Sequence, residues 1–213
     1  MGNPATIYAH RGEVDAALDY SGKAQQPLHA VYDRLSLAVV RANRGSFLQN
    51  MGRLSEALEQ DQLALETHRD LGHPMGHGVA LGNIGNLHFE AGDFDRAEAA
   101  LTEAIDHCDE VMPAAAAAAF RGTLALLEAQ RGALEKARAL IAAGEPQLRG
   151  KHNYQLAKFL CRKAQVQCVC GAIEIARATL AEVTPIIAEY NAGPDSELAK
   201  SLAAAQATLA ETA

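Results

Sequence analysis

The chain has 213 residues, 49% of them apolar and 21% charged, with 26 acidic against 19 basic side chains for a net charge of −7. Those proportions fit a folded globular chain and exclude wholesale disorder, while the acidic total argues against a sequence-blind nucleic-acid binder, whose affinity rests on Lys and Arg neutralising phosphates. Nowhere does an apolar run reach the roughly 18 residues of a membrane span, Met1 to Ala9 lack the basic start and apolar core of a signal peptide, and four cysteines are too few for a disulfide scaffold, so a cytoplasmic chain without a membrane or nucleic-acid partner is expected.

One six-residue phrase, Gly-x-apolar-x-x-Ala, organises the chain. It reads GEVDAA from Gly12, GRLSEA from Gly52, GDFDRA from Gly92, GALEKA from Gly132 and GAIEIA from Gly171, with steps of 40, 40, 40 and 39 residues. The glycine ends one helix in a left-handed conformation that costs it little. The apolar residue two later packs the start of the next helix, and the alanine five later lets two helices approach closely. In chain order the spacing predicts helices near 13–28, 31–50, 54–71, 76–91, 94–110, 114–131, 134–147, 152–170, 173–190 and 195–211. Pro74 and Pro113 stand just before helices, where a missing N–H is harmless. The alanine run from Ala114 to Ala119 is a strong helix former rather than a linker. Asn191-Ala-Gly-Pro194 breaks the last unit, and Asp195 or Ser196 caps a terminal helix. The expected organisation is a partial repeat over 1–30, four repeats over 31–193 (31–72, 73–112, 113–151 and 152–193) and a capping helix over 194–213 that shields the end of the stack. Only eleven residues precede Gly12, too few for the first helix of a unit, which is expected of a piece of a longer protein; the alternative is a shortened natural cap.

The unit from Leu81 to Ile105 resembles a tetratricopeptide repeat: Leu81, Ile84, Gly85, Gly92, Phe94, Ala97, Leu101 and Ala104 fall where that family's pattern places them. Gly45, Ala125 and Ala164 stand at the places corresponding to Gly85. His88, Arg44 and Asp61 depart from the pattern, the last replacing a bulky residue. The family's basic period is about 34 residues, so 40 resembles the long-repeat branch of kinesin light chains, polarity adaptors and bacterial peptide sensors; HEAT-type repeats are the rival architecture. The resemblance implies an all-α solenoid of antiparallel helix pairs in a right-handed superhelix, with the first helix of each pair lining a concave groove.

Carried onto this sequence, the groove would be lined by Val39, Ala42, Asn43, Ser46 and Gln49, then by Val79, Gly82, Asn83, Asn86 and Phe89. Next come Ala119, Gly122, Thr123, Leu126 and Ala129, then Lys158, Cys161, Arg162, Gln165 and Cys168. Asn83 and Asn86 are three apart on one helical face, and an amide offers donors and an acceptor together, so the pair could clamp the backbone of an extended peptide, with Asn43 continuing the ladder one period earlier. The alternative is that these amides only tie helices together. Lys158 and Arg162, four apart, would attract acidic groups, while Phe89 and Leu126 would supply apolar contact. A full carboxylate clamp of the kind found in chaperone-binding members lacks its other half, since Ala42 and Ser46 stand where a Lys and an Asn are needed.

His68, His73 and His77 surround Pro74 and two glycines, which makes a solvated loop the expected setting rather than a metal site. Cys161, Cys168 and Cys170 lack zinc-ligand spacing and are expected to fill packing gaps. With no nucleophile, phosphate-binding or metalloprotease phrase, neither an enzyme nor a cofactor is expected. The function expected is a non-enzymatic module that holds a peptide or helical segment of a protein partner in the groove. The alternatives are a regulatory segment of a larger bacterial signalling ATPase, kinase or transcription activator that docks in cis, and self-association as a homodimer through the partial first repeat.

Overall fold

The computed structural model describes residues 34–111 and 115–212. The expected helix over 13–28, the partial repeat over 1–30 with its self-association surface, and Pro113 lie outside the described residues. Among the described residues every element is a helix: α1 Arg34–Asn50, α2 Leu54–Asp70, α3 Pro74–Glu90, α4 Phe94–Val111, α5 Ala115–Gln130, α6 Leu134–Leu148, α7 Asn153–Val169, α8 Ile173–Glu189 and α9 Glu197–Thr212. None is long and apolar enough to cross a membrane.

The glycine phrase does the expected work at each turn within a pair. Gly52, Gly92, Gly132 and Gly171 have φ of 75, 78, 82 and 74°, a region that a side chain rarely adopts. Each lets the next residue donate back five positions along the helix it closes: Arg53 N to Leu48 O at 2.9 Å, Asp93 N to His88 O at 2.9 Å, Ala133 N to Glu128 O at 2.9 Å and Ala172 N to Gln167 O at 2.8 Å. These bonds satisfy carbonyls that a helix end leaves open. The alanines of the phrase, Ala57, Ala97, Ala137 and Ala176, are fully buried where the paired helices meet. Pro74 is the first residue of α3, which begins two residues earlier than its periodicity predicts because His73 Nδ1 accepts a hydrogen bond from Gly76 N at 3.0 Å.

Consecutive helices pack antiparallel as α1–α2, α3–α4, α5–α6 and α7–α8. The pairs also stack, with α1 on α3, α3 on α5 and α5 on α7, and α9 on α7 and α8. Aromatic rings set the spacing of that stack. Phe120 of α5 lies over Gly82 of α3, and Phe159 of α7 lies between Gly122 of α5 and Gly144 of α6. The hydrophobic core thus runs along the array rather than closing into one sphere. At its end α9 buries Leu198, Ala205 and Leu209, and Ser196 Oγ caps it by accepting from Ala199 N at 3.2 Å. The sequence therefore builds a helical-repeat solenoid with a terminal helix covering its last pair.

A contact of another kind joins the two ends of the described array. Asn50, at the end of α1, donates through Nδ2 to Asp195 O at 3.0 Å, and Lys200 of α9 donates through Nζ to Asn50 O at 2.6 Å. These partners are 145 and 150 residues apart.

Candidate functional site

The odd-numbered helices turn toward one concavity of about 770 Å³, within the range of ligand-sized pockets. Its wall on α3 is made by Val79, Asn83, Asn86 and Glu90, spaced by helical turns, together with Phe89. Ser46, Gln49 and Asn50 of α1 stand on one side; Thr123 of α5 and Lys158, Arg162 and Gln165 of α7 stand on the other. The closing wall is α9, through Glu197, Lys200, Ser201 and Ala204. The repeat register leads to the lining of α3 and α7 but not to this wall, because α9 lies outside the repeat and its approach to α1 is a matter of superhelical curvature.

Five of the expected contact residues, Asn83, Asn86, Phe89, Lys158 and Arg162, line the concavity together. Leu126 does not: it is 2% exposed and packs in the core with Ala125, Ala129 and the residues of α7. Asn43 is half-buried and outside the lining, since the α1 wall begins one turn later at Ser46. Gly82 and Gly122 are occupied by the rings of Phe120 and Phe159, so those two rings line the space instead. Glu90, which the repeat pattern does not single out, also stands in the wall.

The polar groups fall into two sets. Lys158 is ion-paired with Glu197, which also accepts from the Tyr154 hydroxyl at 3.4 Å. Gln49 Nε2 donates to Glu90 Oε1 at 2.8 Å, and Gln165 Nε2 to Thr208 Oγ1 at 3.2 Å. Those groups are satisfied within the protein. Arg162 is not so fully engaged: its guanidinium lies 5.2 Å over the Phe89 ring and donates to Gln165 Oε1 at 3.3 Å, with no carboxylate in pairing range among the described residues. Burial lowers its pKa from the ordinary guanidinium value, an effect that Glu90 and Glu197 oppose from a distance. Glu90 keeps open surface, yet the walls around it exclude enough water to raise its carboxyl. Asn86 Oδ1 is buried and has no hydrogen-bond partner among the described residues, and an unanswered buried acceptor is costly. Asn83 Nδ2 donates to Asp61 Oδ1 at 3.5 Å.

Two further clusters stand away from the groove. His68 is 3% exposed, its ring against Gly76 and 5.2 Å from that of His73; the rings of His77 and His107 are 5.0 Å apart. The expected solvated loop shrinks to the short turn at 71–73, where Gly72 is exposed; His68 and His77 belong to α2 and α3, and Gly76 makes room for the His68 ring. Among the described residues no group of three or more His, Cys, Asp or Glu side chains could hold a metal ion. Cys108, Cys161 and Cys168 are buried, Cys170 is partly so, and all are free thiols. Burial pushes the Cys161 thiol up to about 12, which keeps it protonated and unreactive.

The repeat period, the left-handed glycines and the groove on the first helices agree with a sequence comparison in which a model of the MalT-like TPR region matches residues 2–212. The chain belongs to that family. No curated protein matches it in sequence. Solved structures resemble this MalT-like TPR region in fold. BtubC (BKLC) from P. vanneervenii is 17% identical over 88% of this chain and 78% of its own, with a TM-score of 0.64. The apo form of RapI is 13% identical over 97% and 82%, with a TM-score of 0.64. A Rap protein complexed with competence and sporulation factor is 16% identical over 98% and 63%, with a TM-score of 0.64. Such a fold is in general an interaction scaffold rather than a catalytic one.

Proposed function

We propose that this MalT-like TPR region binds a short extended peptide segment of a protein partner in the groove, without catalysis, holding its backbone at Asn83 and Asn86 and an acidic group at Arg162. The observation that carries the reading is the polar wall of the cavity: Asn83 and Asn86 line it one helical turn apart, and Arg162 beside them pairs with no carboxylate among the described residues. A peptide backbone supplies N–H donors at the spacing of adjacent residues, and a carboxylate answers a guanidinium with charge-assisted hydrogen bonds. The ring of Phe89 beneath Arg162 holds the guanidinium plane and leaves its edge for a ligand. Lys158, already paired with Glu197, contributes long-range attraction rather than a direct contact. The solved Rap protein in complex with competence and sporulation factor is a precedent of the same fold holding a ligand.

Panning the purified chain against random peptides, displayed both with free C-termini and as internal segments, tests the reading. Enrichment of acidic sequences that is lost in Asn86→Ala and Arg162→Ala, at unchanged melting temperature, is the expected result. Failure of the wild-type chain to enrich any peptide removes it.

A further inference from the structure

Asp61 occupies the place in its repeat that Leu101, Ile141 and Leu180 hold in the next three. Those residues fill the gap between paired helices, facing Gly85, Ala125 and Ala164 respectively in the repeat register; Leu101 touches Gly85 directly, since a methyl group there would lie 2.7 Å from it. Asp61 packs the same way against Gly45, where a methyl group would stand 2.8 Å from Oδ2. A carboxyl group, 1% exposed, thus replaces a hydrocarbon in the core of the first described pair. Among the described residues Oδ2 has no partner, and the single hydrogen bond to this side chain is the one that Asn83 Nδ2 donates to Oδ1. Charged neighbours do not balance it. On α1, Arg41 donates to Thr67 Oγ1 at 3.5 Å and Arg44 acts on Glu56; on α3, the His77 ring meets that of His107 edge-on; none of these pairs with Asp61.

Asn83 is the groove-lining end of that hydrogen bond. The nitrogen and oxygen of an amide lie on opposite edges of one plane, so tying Nδ2 back to α2 turns Oδ1 toward the cavity, and no protein donor among the described residues reaches that oxygen. An ionised carboxyl is an acceptor only, whereas a protonated one also offers an O–H. With a proton on Asp61 the amide can therefore turn over, accept from Asp61 through Oδ1 and present its NH₂ to the groove.

We infer that Asp61 is a positioning residue, which decides through its own protonation whether Asn83 shows a ligand an acceptor or a donor. The inference rests on the peptide-groove reading for its biological use, but not for its test. Burial supports it independently, since desolvation pushes the Asp61 carboxyl up to about 7, and the exchange then falls near neutral pH.

The experiment uses the isotope-labelled full chain and needs no ligand. The Asp61 carboxyl carbon and the Asn83 side-chain amide signals, assigned by their loss in Asp61→Asn and Asn83→Ala, are followed by NMR from pH 5 to pH 9. Both are expected to titrate with one shared midpoint, and the amide signals are expected to stay flat in Asp61→Leu. An Asn83 amide indifferent to Asp61, or an Asp61 that does not titrate while the chain remains folded, overturns the inference. In a second arm, peptides enriched by panning are measured at pH 6 and pH 8. A roughly tenfold change in affinity, the worth of one hydrogen bond to a ligand, is expected in wild type and expected to vanish in Asp61→Leu. A pH-independent affinity in wild type overturns the inference as well. If panning enriches nothing, the peptide reading falls while the NMR titration still decides the role of Asp61.

Discussion

At Asp61 the chain holds a carboxyl where its own later repeats hold Leu or Ile, and the thermodynamic cost of that choice has a definite pH window. The folded chain keeps this proton up to about 7, against 3.8 for the ordinary group. Stability from this site is therefore complete below the unfolded value and is lost as pH rises through the folded one, by up to ~4 kcal/mol if the whole shift is expressed. Asp61→Leu, which copies the Leu101 over Gly85 arrangement, is expected to stabilise the chain by an amount that grows from pH 4 to pH 7 and then levels off. Paired denaturant melts across that range measure it; a difference that does not depend on pH removes the buried-acid account. The histidines act with the opposite sign. Burial first, and then repulsion by His73 and His77 at His68 and by His107 and Arg69 at His77, lower the pKa of both groups, so protons bind the unfolded chain first and stability is lost as pH falls below about 6.5. His68→Phe keeps a ring over Gly76 and is expected to flatten the decline in melting temperature between pH 7 and pH 5. The sequence marks Asp61 as a departure from the repeat pattern, and so locates it. It does not show that the group is buried or what it bonds, because those depend on which residue of the following helix reaches it.

Between helices the decisive contacts are ring against glycine. A methyl group on Gly82 would stand 2.1 Å from the Phe120 ring, so one of the two helices must move. Gly82→Ala is expected to destabilise the chain by about 1–3 kcal/mol, the usual cost of overpacking. Placed together with Phe120→Ala it is expected to cost less than the sum of the two single changes. A double-mutant cycle on chemical denaturation checks this, and strict additivity would mean that the two residues do not press on each other. Gly52, Gly92, Gly132 and Gly171 are legible from spacing alone, since the turn each makes is local. Gly82 and Gly122 are not. Helical periodicity assigns them to the concave face, but the ring that fills them comes from the next repeat, 38 or 37 residues along. The same reason misplaces Leu126: its position on the helix is close to the groove face, yet α6 and α7 close over it.

Across the whole molecule, α9 holds the array together at two levels. Its apolar face covers the last pair through Leu198, Ala205 and Leu209, and its first turn reaches back to α1. Removing residues 194–213 is expected to lower the melting temperature and to speed hydrogen exchange in α7 and α8, since the apolar surface that α9 covers would meet water. Lys200→Ala is a finer test. The hydrogen bond from Lys200 Nζ to Asn50 O is exposed, so its loss is expected to cost under about 1 kcal/mol. Exchange at the end of α1 and at the first turn of α9 is nevertheless expected to rise, and unchanged protection there would mean that the contact does not hold the ends together. Order, pairing and the inner face of the repeats can be read from a 40-residue period. Curvature cannot, because it accumulates from small rotations at each repeat boundary, and no local sequence signal connects Asn50 with Lys200.

That meeting of α1 and α9 gives the array a seam. In an open stack, a small change of angle at one repeat boundary dissipates at a free end. Here the same change must either be absorbed by the other boundaries or appear as a gap between Asn50 and Lys200, multiplied by the lever arm of the intervening helices. An occupant that wedges α3 from α7 by a fraction of an ångström would thus part the seam by considerably more, so the groove carries its own strain gauge at a surface where another protein could read it.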